Sequence, residues 1–181
     1  MAKISRKSLA AKWTAKLVAF GIVACMVAPA QGQTVTPSSL VARAQIEDLL
    51  TRYYNNFGKA GRESFGVFYT DDAQMILGET SYKGRPAIEA AYKALSTADI
   101  PQRKSFAFNI LLTNMLIKVN GSTATARLVF TEVVTDKKGD APRILTQGKE
   151  FDNLVKVRGE WRISKRQIIG AEQAAPADWK E

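Results

Sequence analysis

The sequence predicts an α+β domain behind an export leader, and three observations carry that reading. The first is a charged start followed by a short apolar run. The second is helical spacing of apolar residues through the first half of the chain. The third is a change, from Lys104 onward, to long strand-like segments separated by turn dipeptides. Helices first and a run of antiparallel strands afterwards imply a sheet with helices on one face.

The leader comes first in the chain. Residues 1–30 hold five cations (Lys3, Arg6, Lys7, Lys12, Lys16) and no acid. An apolar run over 17–30 is interrupted only by Gly21 and Pro29, and ends in Ala28-Pro29-Ala30. A basic start, an apolar middle and a small-residue exit are the parts of a secretory signal cut after Ala30. The run is shorter than the roughly 20 residues that span a bilayer. The expectation is therefore an exported protein, periplasmic or secreted. Ile22-Val23-Ala24-Cys25 also reads as a loose lipobox, and lipidation at Cys25 would make the protein membrane-anchored. Five of the 26 cations sit in the leader and face no acid there, so removing it lowers the net charge from +9 to +4. A modest positive charge does not point to nucleic acid.

Residue inventory narrows the chemistry. The chain has no histidine, and its single cysteine, Cys25, lies in the leader. Histidine bases, histidine or thiolate metal sites and Ser-His or Cys-His nucleophiles are excluded for the mature chain. No metal and no cofactor are expected. Any catalysis would run on carboxylates, tyrosines, lysines or hydroxyls.

Residues 31–39 read as a polar linker, with Ser39 as N-cap of a helix starting near Leu40. Ile46, Leu49, Leu50, Tyr53 and Phe57 make its apolar face, and Gly58 is placed to end it. A short second helix is expected over about 62–69, with Asp71 and Asp72 in a turn before a strand over about 73–77. Pro86 suits the first turn of a third helix carrying Ile88, Ala91, Tyr92 and Leu95. Strands are expected over about 104–118, 122–135, 143–157 and 160–170. Their turns are marked by Asn120-Gly121, Lys137-Lys138-Gly139-Asp140 and Arg158-Gly159. The domain then covers 40–170, and 171–181 is a loosely ordered tail. One sheet face packs on the helices; the other is wet or meets a second subunit.

Several stretches together resemble SnoaL-like domains of the nuclear-transport-factor-two-like superfamily. The opening is Ile46-Glu47-Asp48-Leu49-Leu50-Thr51-Arg52-Tyr53-Tyr54, continued by Phe68-Tyr69-Thr70-Asp71-Asp72-Ala73. Tyr82-Lys83-Gly84-Arg85-Pro86-Ala87-Ile88 resembles the entry to the family's third helix. Leu111-Leu112-Thr113-Asn114 with Ile117-Lys118-Val119-Asn120-Gly121 resembles its first long hairpin. Gly159-Glu160-Trp161-Arg162-Ile163 resembles its closing strand. The resemblance implies three N-terminal helices packed on a curved, mostly antiparallel sheet that forms a conical, mostly apolar pocket. Family members include dehydratases, isomerases, polyketide cyclases and binding domains. Several of the enzymes use an aspartate and a histidine, whose positions here are Gly58 and Ile110. Neither can move a proton, so that dyad is absent.

Alternation along the strands nominates what else could line the pocket. Phe106, Phe108, Leu112 and Asn114 share the face of Ile110, and Gly148, Glu150, Asp152 and Leu154 share another. The family often shows Gly-x-Tyr-x-Asp in that second place, so Glu150 takes the tyrosine position and Asp152 the aspartate position. Expected ligand-binding residues are Tyr53, Phe57, Phe108, Ile110, Asn114 and Glu150, and the catalytic candidates are Glu150, Asp152 and Tyr53. Against this stands a plainer reading, in which Glu150 and Asp152 face solvent or pair with Lys149, Arg127 or Lys156. Tyr53 and Trp161 would then be packing residues, and Arg158, Arg162, Lys165 and Arg166 a solvated face. Three functions stay open: binding a small apolar ligand, a lyase, isomerase or hydrolase built on carboxylate and tyrosine, and a module that dimerises through its sheet.

Overall fold

The computed structural model describes residues 34–57 and 65–179. The expected leader, with Cys25, lies outside the described residues, as does Gly58.

Helix α1 (Pro37–Asn56) begins earlier than its apolar stripe suggests. Thr36, not Ser39, is the N-cap. Thr36 Oγ1 accepts from the Ser39 amide at 3.1 Å, and Ser39 Oγ accepts from the Thr36 amide at 2.8 Å. This reciprocal capping box satisfies two helix-end donors, and Pro37 fits the first turn because no partner exists there for an N–H. The apolar stripe behaves as expected: Ile46, Leu49, Leu50 and Tyr53 are all buried.

The expected second helix is a single 3-10 turn, Phe65–Phe68. Gly66 disfavours helix in so short a segment, which could not nucleate by itself. Tyr69 instead opens strand β1 (Tyr69–Leu77), pairing with Ile163. Asp71 and Asp72 therefore lie inside β1, both exposed, and Asp71 pairs with Arg85 at 2.5 Å. A short strand β2 (Thr80–Lys83), not anticipated from the sequence, returns from β1 as a hairpin around Gly78, whose φ is +56°. Helix α2 (Arg85–Thr97) follows, and α3 (Pro101–Lys104) is one turn. Among the described residues only α1 and α2 exceed a single helical turn, which corrects the expectation of three helices.

Strands β3 (Ala107–Asn120), β4 (Thr123–Thr135), β5 (Arg143–Val157) and β6 (Glu160–Gly170) follow the sequence expectation closely. The sheet order is β2-β1-β6-β5-β4-β3, antiparallel except where β1 runs parallel to β6. Two bulges matter below. In β3, Asn114 and Met115 oppose the single Leu128, and in β6 Ser164 is an extra residue outside the register with β5. The curved sheet wraps α1, and Ile46, Leu50, Ile117, Leu128, Leu154 and Ile163 form the centre of the core. Burying each such side chain stabilises the fold by about 1.5–3 kcal/mol.

The segment after Gly170 forms neither helix nor strand, yet it rests on the outer sheet face. Trp179 meets Phe151 edge-on at 5.0 Å, Lys149 Nζ donates to the Gln173 carbonyl at 2.9 Å, and Lys165 pairs with Asp178.

Candidate functional site

Beneath α1, strands β5 and β6 place three charged side chains in the core. Glu150, Asp152 and Arg166 have 0% solvent exposure. Arg166 donates through Nε to Asp152 Oδ1 at 2.8 Å and through Nη2 to Oδ2 at 2.9 Å, a two-pronged pair. Nη2 also lies 2.9 Å from Glu150 Oε1, while the Tyr54 hydroxyl donates to Glu150 Oε2. The guanidinium carbon sits 4.0 Å from the centre of the Tyr53 ring, a cation–π contact that covers its face.

Charge counting sets the protonation state. Two carboxyl groups share one guanidinium in a dry place, so one negative charge has no counterpart. Burial pushes the Glu150 carboxyl well above the usual carboxylate range; Arg166 opposes that shift and Asp152 adds to it. Burial alone would weaken the charge on Arg166, but Asp152 and Glu150 more than reverse this. Glu150 is thus the member pushed toward its neutral form.

Above this floor lies a layer of tyrosines. The Tyr53 and Tyr92 hydroxyls hydrogen-bond each other, and Tyr69 joins Tyr92 at 3.0 Å. Burial raises all three phenol pKa values, so they stay neutral. Tyr92 stacks on Phe65 at 4.2 Å, and Tyr54 stacks on Phe130 at 6.3 Å. Gly148 permits the second stack: a Cβ there would stand 2.5 Å from the Phe130 ring and 2.7 Å from the Ile169 carbonyl.

The layer borders an inner, partly open cavity of about 140 Å³. Its wall is Tyr53, Tyr54, Phe57, Leu77, Tyr92, Leu95, Phe130 and Ile168, with Glu132 as the lining carboxylate. Burial raises the Glu132 pKa, and a hydrogen bond from Gln102 Nε2 at 2.6 Å opposes this. Tyr54 and Phe57 also border a neighbouring groove of about 320 Å³, whose other wall holds Phe108, Ile110 and Leu112. A larger cleft of about 540 Å³ lies on the polar side of α1.

The structure thus places Tyr53 and Phe57 on the cavity, Phe108 and Ile110 on the groove, and Glu150 and Asp152 below the cavity rather than in its wall. Asn114 stands apart: it is exposed at the β3 bulge with φ +52°. The acids pair with Arg166, not with Lys149 or Lys156, and Arg166 is not on a solvated face. Sequence reasoning missed Tyr54, Tyr92, Glu132 and Arg166. A signal existed for Tyr54, next to Tyr53 on the same helix, and for Tyr92 on the apolar face of α2.

A curved six-strand sheet holding an aromatic-walled cavity against one long helix defines the cone class of α+β domains. The chain belongs to the SnoaL-like domain family, whose model it matches over residues 38–167. No match is found among curated proteins. Among solved structures it is similar to a protein of unknown function from Mycobacterium tuberculosis, with 24% identity, TM-score 0.61 and 75% of each chain covered. An NTF2-like protein with a cystatin-like fold from Novosphingobium aromaticivorans matches at 19% identity and TM-score 0.61, over 76% of this chain and 87% of that one. A third, described as a candidate scytalone dehydratase from the same organism, matches at 20% identity and TM-score 0.60, over 81% of this chain and all of that one. At these identities the likeness is one of fold.

Proposed function

We propose that this SnoaL-like domain binds a small, largely apolar ligand with a single ring in the inner cavity. The carrying observation is the cavity itself: about 140 Å³, walled by aromatic and aliphatic side chains. An apolar cavity of roughly 150 Å³ is large enough to take benzene. Binding is favoured over turnover because the polar groups at hand are already engaged. Tyr53 and Tyr92 bond each other, Glu132 is held by Gln102, and Glu150 is sealed below with Arg166.

The test is titration with toluene, p-cresol and indole, followed by tyrosine ring signals in NMR. Saturable shifts of Tyr53, Tyr54 and Tyr92 are expected, and they vanish in Leu95→Trp, which fills the space. Absence of saturation by all three, or shifts that persist in Leu95→Trp, would overturn the reading.

The leader supports action outside the cytoplasm, which intact-mass analysis of exported protein tests: a chain beginning at Gln31 is expected, and lipidated Cys25 is the alternative. A second reading, dimerisation through the outer sheet face, is favoured by exposed Leu111 and Ile144 there. Light scattering on the purified protein decides it.

A further inference from the structure

We propose that the cleft on the polar side of α1 is a second binding site, built for a neutral polyhydroxylated ligand the size of a single sugar. It shares no lining residue with the inner cavity, so it stands apart from the function proposed above. Its volume, about 540 Å³, lies within the roughly 300–1,000 Å³ usual for small-molecule sites.

One wall is a stripe along α1, where Gln45, Asp48, Arg52 and Asn56 recur every three or four residues. The facing wall is the start of β6, Glu160 to Arg162. Trp161 is 4% exposed, and its indole N–H is buried without an acceptor. A buried donor left unpaired costs about 1–3 kcal/mol.

The rim determines what kind of molecule arrives. Arg52 pairs with Asp48 at 2.8 Å, and Arg162 pairs with Glu160. Two cations and two acids leave the rim with no net charge, so it favours neither an anion nor a cation. What it offers is donors and acceptors side by side, from two ion pairs and from side-chain amides. A hydroxyl both donates and accepts. A ring of hydroxyls therefore matches this rim, whereas a hydrocarbon would leave it unsatisfied.

The test follows the Trp161 indole N–H by two-dimensional NMR, assigned as the signal lost in Trp161→Phe. The probes are D-glucose and myo-inositol, with D-glucuronate and D-glucosamine as charged counterparts. Expected is a saturable shift with the neutral probes, weakened about tenfold by Arg52→Ala and less by Gln45→Ala. Both substitutions fall on exposed helix positions, where folding is retained. The Trp161 titration is also expected to be unchanged in Leu95→Trp. The proposal is overturned if neither neutral probe moves the Trp161 signal, if glucuronate or glucosamine binds more tightly than glucose, or if the shift survives in the Gln45→Ala, Arg52→Ala double variant.

Discussion

Arg162 and Arg166 stand four residues apart on the same strand, and both are paired with carboxylates. Their surroundings differ in every other respect. Arg162 keeps 31% of its side chain exposed and pairs with a neighbour two residues away, Glu160. Arg166 is wholly buried, grips Asp152 with two nitrogens, approaches Glu150 and lies against the Tyr53 ring. Water can replace the partner of the first and not of the second. The same chemical pair is therefore a minor surface contact in one place and a structural necessity in the other.

The largest expected effect follows from that contrast. Arg166→Met leaves two buried carboxyl groups without their counter-charge and should cost about 3–5 kcal/mol in urea unfolding. Arg166→Lys should not restore the loss, because a point charge cannot reproduce the fork. Gly148→Ala should cost about 1–3 kcal/mol by overpacking against Phe130 and the Ile169 carbonyl, and it should weaken binding in the inner cavity. Tyr54→Phe removes the donor to Glu150 Oε2, with an expected loss of about 1–3 kcal/mol.

The pH dependence sharpens the comparison further. The folded-state pKa of Glu150 is raised, so its contribution is fully present below the unfolded carboxylate pKa of about 4.3. It is lost as pH rises through the folded value. Stability should therefore fall with rising pH across that window, by at most about 1.4 kcal/mol per pH unit from this group. Glu132, raised by burial, acts in the same direction. Asp136 and Asp178, lowered by hydrogen bonds from Arg143 and Lys165, act in the opposite one, losing their contribution as pH falls. Glu150→Gln, read by thermal unfolding at several pH values, should flatten the decline without a large loss at its acid end. The smallest effect belongs to Arg162→Met, expected within about 1 kcal/mol.

Much of the scaffold was legible in the sequence because it depends on local patterns. The β5–β6 hairpin has the expected limits, since a turn at Arg158-Gly159 separates two long alternating segments. Helix α1 shows its stripe, and α2 starts where Gly84 and Pro86 suggest. The second helix was misread because three aromatic residues within five mimic a helical face. In space Tyr69 instead joins β1, where a parallel partner 94 positions away captures it. No local signal reports such a partner.

Composition, spacing and turn residues were enough to determine the α+β class, the lack of any histidine and the inward face of Tyr53. Two bulges decided the rest. Counted back from the turn at Arg158-Gly159 without interruption, the residue opposite Asp152 would be Lys165. The extra residue Ser164 shifts the register by one, so Arg166 takes that place and turns inward. The pair at Asn114 and Met115 does the same on β3, bringing Glu132 rather than Val133 opposite Ile110. A one-residue slip exchanges the two faces of a strand. Whether a charged side chain meets water or the core therefore rested on strand pairing across the sheet, which the order of residues along a single strand does not encode.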